Sequence, residues 1–554
     1  MRKNTPLFFL GSMPKIVHFI GIGGIGISAL AQWFLAQKWA VSGSDIFPNE
    51  TTHSLQKLGV KVKFGHKKAN IPQGCALVIY TQAIRPKNIE LKEARQRKIS
   101  VLSYPEAIGE LTRLGSIGSQ QAYTTIAVAG AHGKSTTTAL VGLILIKAGF
   151  DPTVIIGTKL KEFPSINSPR PGSFDSAQDK SGQAWQVANS EYGTNFRFGK
   201  SKYLVLEADE YGGAFLHYSP FYTIVTNIDK EHLDFYKNLE NIKKSFLAFL
   251  SRTQHGGALI LNRDSKILFS LKPAIEKISS KKHLKINWYS LYGEQSRTMK
   301  NPENKKIKKI IRIAGKHNVS NALGAFYLSK ILNVPEKTAL RAIADYRGSW
   351  RRMEYRGKYQ VSSIKYQVSG NKNPKRLLPD TVYQIPVYDD YAHHPTEIKA
   401  TLRAFREKFP RPGTGRGSPR NSGAAKPAYL ICVFQPHQAE RLRILFKDFR
   451  SAFTDADITL ILPIYRVAGR DIINHDFTSE KLVTSIQKKY PKKLIFYVKN
   501  PKNLKKAVGT LLSNTPSQSK SNLRQSALNP RKSAVLVMMG AGDIVKYTDR
   551  LIKN

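Results

Sequence analysis

The chain is expected to fold as an α/β protein built from three parallel-sheet blocks. Three observations predict this. Strand-like apolar runs alternate with helix-like stretches along nearly all of the 554 residues. Two of those runs end in glycine-rich turns that lead into helices. Acidic, histidine and amide side chains recur just beyond the strand-like runs. Such alternation gives sheets covered by helices on both faces, with ligand chemistry gathered at the carboxyl ends of the strands.

The first block opens with a strand at 15–20 that runs into Gly21-Ile22-Gly23-Gly24-Ile25-Gly26 and a helix at 27–38. Strands at 76–80 and 99–102 flank a helix at 88–98. The second block starts with a strand at 123–129, the turn Gly130-Ala131-His132-Gly133-Lys134-Ser135 and a helix at 135–148. Strands at 203–206, 222–226 and 258–261 follow, and helices at 319–332 and 336–346 close the block. The third block has strands near 386–390, 429–434, 457–462, 494–498 and 534–539, with helical stretches between them. Four segments break the rhythm: 164–182, 358–379, 410–426 and 513–532 are rich in Ser, Pro, Gly or basic residues. They lack apolar periodicity and are expected as surface insertions, at about 161–190, 358–380, 410–427 and 513–532.

A chain of this length holds about three or four domains. No apolar run reaches the roughly 20 residues a membrane helix needs, so no membrane insertion is expected. Residues 1–13 carry Arg2, Lys3 and a short Leu7-Phe8-Phe9-Leu10 patch, too short for a secretion signal; they are expected as a loose extension, with Met13 an alternative start. The only cysteines, Cys75 and Cys432, are far apart in sequence and suggest neither a disulfide framework nor a zinc cluster, which fits a reducing cytosol. The charge is strongly basic: 87 Lys+Arg against 39 Asp+Glu gives +48. The excess is scattered, and no aromatic-interleaved basic stripe is present, so attraction for anionic small molecules is favoured over a specific nucleic-acid partner.

The turn at 130–135 carries the sharpest chemistry. Backbone N–H groups in a strand–turn–helix junction point at a bound anion, and the helix start adds positive potential. Lys134 is placed to meet β- and γ-phosphates, and the Ser135 hydroxyl to meet Mg²⁺. The turn is shorter than the common loop, which wants glycine at 128, where Val128 stands. Gly21-x-Gly23-x-x-Gly26, with Asp45 further on, is a dinucleotide-type fingerprint. With a second phosphate loop downstream, it can equally serve a nucleotide sugar. Glu207, at a strand end, suits a Mg²⁺ ligand. His232 follows another strand end among carboxylates. Asn318 and Asn321 share a helix face and can read a base, or Asn318 can cap the helix. Arg351-Arg352 can neutralise a moving phosphoryl group. Asp389-Asp390-Tyr391-Ala392-His393-His394-Pro395 and Phe434-Gln435-Pro436-His437, with Arg441, crowd acid, phenol, imidazole and guanidinium at further strand ends.

Together these segments resemble the Mur ligase family of bacterial cell-wall synthesis. The resemblance rests on His18-Phe19-Ile20-Gly21-Ile22-Gly23-Gly24-Ile25-Gly26, Ala129-Gly130-Ala131-His132-Gly133-Lys134-Ser135-Thr136, Glu207-Ala208-Asp209-Glu210, Thr226-Asn227-Ile228-Asp229, His317-Asn318, and the Asp389 and Phe434 segments, which occur in the family's order. It implies an N-terminal Rossmann-like domain (1–120) for a UDP-sugar, a central P-loop ATPase-like domain (121–346) and a C-terminal Rossmann-like domain (347–554) for an amino acid. The implied reaction is ATP-dependent ligation of L-alanine to the lactyl carboxylate of UDP-N-acetylmuramate through an acyl phosphate, in a cytoplasmic monomer or homodimer using ATP and Mg²⁺.

Carried over by position, the resemblance gives Lys134, His232, Arg352 and His393 catalytic roles. ATP falls to Gly130, Ala131, His132, Gly133, Lys134, Ser135, Thr136, His317, Asn318, Asn321, Arg352 and Asp390. The UDP-sugar falls to Gly21, Gly23, Gly24, Ile25, Gly26, Asp45 and His66. Tyr391, His393 and Arg441 face the amino acid, and Ser135, Glu207 and His232 the metal. The chain departs from the family at Ala131 and Ser135 (usually Thr), at Tyr211-Gly212 (usually Ser-Asp) and at Gln438 (usually Arg), which leaves glycine or serine as possible acceptors in place of alanine. A ligase for a recycled tripeptide, favoured by Tyr211, and a basic nucleic-acid-binding ATPase are the competing readings.

Overall fold

A computed structural model describes residues 15–114, 123–163, 193–292, 301–361, 383–412, 427–466, 476–513 and 533–553. Residues 1–13 and nearly all of the four expected insertions lie outside the described residues.

The first sheet consists of β1 (Ile16–Ile20), β2 (Ala40–Asp45), β3 (Lys61–Phe64), β4 (Leu77–Tyr80) and β5 (Ser100–Ser103), all parallel, in the order β3-β2-β1-β4-β5. The second consists of β6 (Thr124–Ala129), β7 (Thr153–Leu160), β8 (Thr194–Arg197), β9 (Tyr203–Glu207), β10 (Tyr222–Val225), β11 (Ala258–Asn262) and β12 (Lys285–Tyr289), in the order β12-β11-β10-β6-β9-β7-β8. The third holds β13 (Glu354–Val361), β14 (Tyr383–Asp390), β15 (Tyr429–Phe434), β16 (Ile458–Ile461), β17 (Leu494–Tyr497) and β18 (Ala534–Met539), in the order β13-β14-β18-β15-β16-β17. Among the described residues, only β8 and β13, both edge strands, run antiparallel to their neighbours.

The expected α/β class and three parallel sheets are therefore present. The strands expected from apolar runs include central ones such as β6, β15 and β18, apolar almost throughout because helices cover both of their faces, and the edge strands β5 and β17. Those not foreseen lie mostly towards the edges. β3 reads Lys-Val-Lys-Phe, its lysines in solvent, as befits a strand that must not pair further. β13 overlaps the start of the segment expected as the 358–379 insertion.

The chain forms two compact units, one within Met1–Arg312 and His317–Trp350, the other within Ile313–Lys316 and Arg351–Asn554. The first unit holds two sheets over one continuous apolar core. The helix Ile25–Ala36 explains this. It is apolar nearly all round and packs on β7 and β8 as well as on its own sheet. Asn195 on β8 donates to Ser28 Oγ at 3.1 Å and accepts from Gln32 Nε2 at 3.0 Å, so the join is also hydrogen-bonded. The second unit packs two apolar layers on either face of its sheet. Among the described residues no helix is long and apolar enough to cross a membrane.

Candidate active site

The order β10-β6-β9 makes the carboxyl end of β6 a switch point, where chain connections leave to opposite sides and a crevice opens. The turn from Gly130 to Ser135 sits there and opens the helix Lys134–Lys147. Gly130 (φ +136°) and Gly133 (φ +83°) hold backbone conformations that favour glycine. Space demands glycine too, since a Cβ would overlap Thr226 Oγ1 at the first position and Asn321 Oδ1 at the second. The turn is pinned from β10. Asn227 Oδ1 accepts from the His132 amide at 2.9 Å, and Asn227 Nδ2 donates to the His132 carbonyl at 2.8 Å. His132 Nε2 lies 3.1 Å from Asp229 Oδ2.

Lys134 Nζ donates to the Gly130 carbonyl at 2.8 Å and to Glu210 Oε2 at 2.8 Å. Burial disfavours the lysine's charge, but Glu210, with Asp209 and Glu207, outweighs burial and lifts its pKa above the ordinary lysine value. At the end of β9, Glu207 Oε1 accepts from Ser135 Oγ at 3.0 Å and Oε2 from the Gly157 amide at 2.8 Å. Burial pushes the Glu207 carboxyl upward, opposed by Lys134 and those two donors.

This donor set fits a divalent cation. Neighbouring ligands about 2.1 Å from an octahedral Mg²⁺ lie about 3.0 Å apart, which is the Ser135–Glu207 separation. A second group lies alongside. Asp209, Glu210 and His232 bring one ligand atom each to within 4.8 Å of one another. Glu210 Oε1 is buried without a hydrogen bond, 3.6 Å from His232 Nε2. His232 thus joins Asp209 and Glu210, and reaches that position in a left-handed backbone conformation (φ +53°).

In the first sheet the switch point is at β1, between β2 and β4. Gly21 turns the chain at φ +80°, and its amide donates to the Ser44 carbonyl at 2.8 Å. Gly23 donates its amide to Asp45 Oδ2 at 2.8 Å, a contact that leaves no room for a Cβ there. Gly26 packs against the Tyr104 ring. His66 stands beyond β3 and bonds through Nδ1 to Ser44 and Glu90. Ile46 and Phe47, which follow Asp45, are large and exposed.

In the third sheet β18 lies between β14 and β15, and the ends of those two strands meet. The Arg351 and Arg352 guanidinium groups lie 5.2 and 5.0 Å from the Tyr391 ring centre. Tyr391 packs edge-on against His393 at 5.4 Å, and His393 packs edge-on against His437 at 5.8 Å. Arg441 lies 3.3 Å from His437 Nδ1.

The structure therefore brings Tyr391, His393 and Arg441 together, through His437, which was quoted in a motif but given no role. It also gathers Gly130–Ser135 with Glu207. Asp390 is different. It is buried, and its carboxylate accepts from the Met353 and Ala392 amides at 2.8 and 2.9 Å, so it braces the turn after Arg352 rather than offering a free carboxylate. Asn321 lies against the back of Gly133. The helix Lys316–Ile331 starts before Asn318, so Asn318 lies inside it and is not its cap. Glu210 and Asn227 were quoted in motifs but given no role. Their position just past strand ends was the available signal.

Residues 16–115 match the family described as Mur ligase family, catalytic domain, and residues 128–329 match the Mur ligase middle domain. A UDP-N-acetylmuramate–L-alanine ligase of Sulfurihydrogenibium sp. (strain YO3AOP1) is 33% identical over 549 residues, covering 98% of both chains. One from Aquifex aeolicus (strain VF5) is 34% identical over 472 residues, 83% of this chain and 86% of that one. Among solved structures, the UDP-N-acetylmuramate–alanine ligase of Thermotoga maritima superposes with a TM-score of 0.63 at 22% identity, covering 97% of this chain and 98% of that one. A murein peptide ligase from Psychrobacter arcticus superposes with 0.56 at 21% identity, with the same coverage. These two likenesses show a shared fold.

Proposed function

The chain belongs to the Mur ligase family, and from that premise we propose that it ligates L-alanine to the lactyl carboxylate of UDP-N-acetylmuramate, with ATP cleaved to ADP and phosphate through an acyl phosphate. The observation that carries this is the Ser135–Glu207 pair beside Lys134, at the switch point of a sheet whose unit also holds a separate glycine loop. One loop serves to energise a carboxylate, and the other to hold the molecule that bears it. The names of the two relatives, which share a third of their residues with this chain over most of its length, support the choice of substrate.

A carboxylate is a poor electrophile, and phosphorylation supplies a leaving group that the amine of alanine can displace. The protein's part is to position charged groups and neutralise the charge that develops. The turn amides and Lys134 would hold the phosphates, with Lys134 exchanging Glu210 for the moving phosphoryl group. Mg²⁺, when bound, screens phosphate charge, and Ser135 and Glu207 would hold it; His232, with Glu210, would support a second cation. His317, Asn318 and Asn321 are assigned to the nucleotide side, and Arg352 to the phosphates. Tyr391, His393 and Arg441 are assigned to the amino acid, and Gly21–Gly26, Asp45 and His66 to the UDP-sugar. The blocks 1–120, 121–346 and 347–554 are then the UDP-sugar, nucleotide and amino-acid domains.

The test is phosphate release by the purified protein with UDP-N-acetylmuramate, ATP, Mg²⁺ and either L-alanine or the tripeptide. Turnover with alanine is expected. Turnover with the tripeptide alone would overturn the assignment.

A further inference from the structure

Beneath the first glycine loop lies a fully buried carboxylate that no step of the reaction uses. Glu90, at the start of the helix Ile89–Gln96, is shared by five donors. Oε2 faces His18 Nε2 at 3.1 Å and Ser44 Oγ at 2.7 Å. Oε1 faces His66 Nδ1 at 3.3 Å, Asn70 Nδ2 at 2.7 Å and the Lys67 amide at 3.1 Å. Burial alone would raise the carboxyl's pKa, but His18 foremost, with Ser44 and Asn70, brings it down to about 2. Glu90 is therefore an anion at neutral pH and can only accept.

The proton positions follow by elimination. Ser44 has one hydroxyl proton and gives it to Glu90. Towards His66 Nδ1, 3.2 Å away, Ser44 can then only accept. Both polar partners of Nδ1 are acceptors, so Nδ1 carries hydrogen. In the neutral ring Nε2 is then an acceptor. His66 is 17% exposed, and among the described residues its Nε2 has no partner. On the neighbouring strand end, Asp45 contributes a carboxylate that already holds the Gly23 amide. The corner formed by His66 and Asp45 is thus rich in acceptors, which suits hydroxyl or N–H groups and repels phosphate.

We propose that Glu90 and Ser44 are positioning residues that hold His66 in its Nδ1–H form, so that Nε2 accepts a hydrogen bond from a donor group of the nucleoside, not from the phosphates, of the ligand on the first glycine loop. This rests on reading that loop as the UDP-sugar site.

The test uses the full chain, with binding of UDP-N-acetylmuramate measured by calorimetry and ring protonation by NMR of ¹⁵N-histidine protein, His66 being assigned by its loss in a variant. His66→Gln places an amide oxygen where Nε2 accepts and should bind within about threefold of the wild type. His66→Lys offers only donors and should weaken binding at least about tenfold, the worth of one hydrogen bond to a buried polar group. Glu90→Gln should weaken binding about tenfold with kcat at saturation little changed, and should add an Nε2–H signal for His66. A doubly protonated His66 in the wild type, binding kept by lysine and lost with glutamine, or an unchanged ring signal and affinity in Glu90→Gln would each overturn the inference while leaving the UDP-sugar site standing. A wild-type protein that does not bind UDP-N-acetylmuramate would overturn the reading of the loop itself, and the inference with it.

Discussion

Lys134 Nζ lies 2.8 Å from Glu210 Oε2, so the lysine of the phosphate loop is tied to a buried carboxylate beyond the neighbouring strand. The same ammonium donates back to Gly130 in its own turn. A cation held this way is positioned in advance and is free to exchange one anionic partner for another.

Replacing that lysine should separate chemistry from substrate binding. Lys134→Ala is expected to abolish ligation while UDP-N-acetylmuramate binding stays within about twofold of the wild type, since that ligand is assigned to the other glycine loop. It also strands Glu210 without its cation, at a cost of about 3 kcal/mol in stability. Adding Glu210→Gln should restore the melting temperature but not turnover. Substantial residual ligation in Lys134→Ala would remove the lysine from the phosphoryl step.

Metal dependence should trace to Glu207. Glu207→Gln removes a charged ligand and is expected to raise the Mg²⁺ needed for half-maximal activity at least about tenfold. Burial raises the Glu207 pKa above the ordinary carboxylate value. As the pH falls, a proton therefore competes for the metal-facing oxygen earlier than it would at an exposed glutamate. The Mg²⁺ requirement should climb as the pH falls, and excess Mg²⁺ should recover the rate. A requirement independent of pH would argue that Glu207 is not a ligand.

Gly133 tests the back of the loop. Gly133→Ala should weaken ATP binding at least about tenfold, because the side chain meets Asn321 and the backbone is left-handed there. Adding Asn321→Ala clears the overlap but leaves about 1 kcal/mol of backbone strain. Partial recovery of ATP affinity in the double variant is the expected result. None at all would mean that the strained backbone at Gly133, not the overlap with Asn321, sets the loss.

Glu90 should make the first unit sensitive to acid. Its pKa falls from 4.5 unfolded to about 2 folded. A lowered carboxyl pKa contributes stability that is fully present above the unfolded value and is lost as pH falls through the folded one. The shift corresponds to about 3 kcal/mol at neutral pH. Glu90→Gln should therefore be less stable than the wild type by about that amount at pH 7, and the gap should shrink as pH falls below about 4.5. Urea unfolding across this range checks it. A gap constant with pH would mean that packing, not charge, is lost.

Arg351 should act on the amino-acid side alone. It is buried, donates to the Gly540 and Gly542 carbonyls and lies against Tyr391. Arg351→Lys keeps the charge but loses the planar fork. It should raise KM for L-alanine with little change in KM for UDP-N-acetylmuramate. An equal rise in both would point to general loosening.

Much of the site was legible because its geometry is local. Gly130 and Gly133 adopt conformations that favour glycine, and Lys134 and Ser135 follow them in the first turn of a helix. Gly21 and Gly23 announce a second turn of the same kind. Less legible were β3, whose exposed lysines hide its strand character, and β8 and β13, short or polar strands on sheet edges. Capping was one of two readings open for Asn318, since its type suits a cap, yet the helix starts before it.

By itself the sequence determined the α/β class, the two glycine turns and the chemistry carried on each strand end, because backbone preference and apolar patterning act over a few residues. Only the tertiary structure decided which strand ends meet. The order β10-β6-β9 sets Asn227 and Glu207 on opposite sides of the phosphate loop. The same level of structure turned Asp390 inward, grouped His232 with Asp209 and Glu210, and joined two sheets into one unit. The physical reason is that strand order and side-chain pairing depend on contacts between residues tens to hundreds of positions apart, which no local pattern encodes.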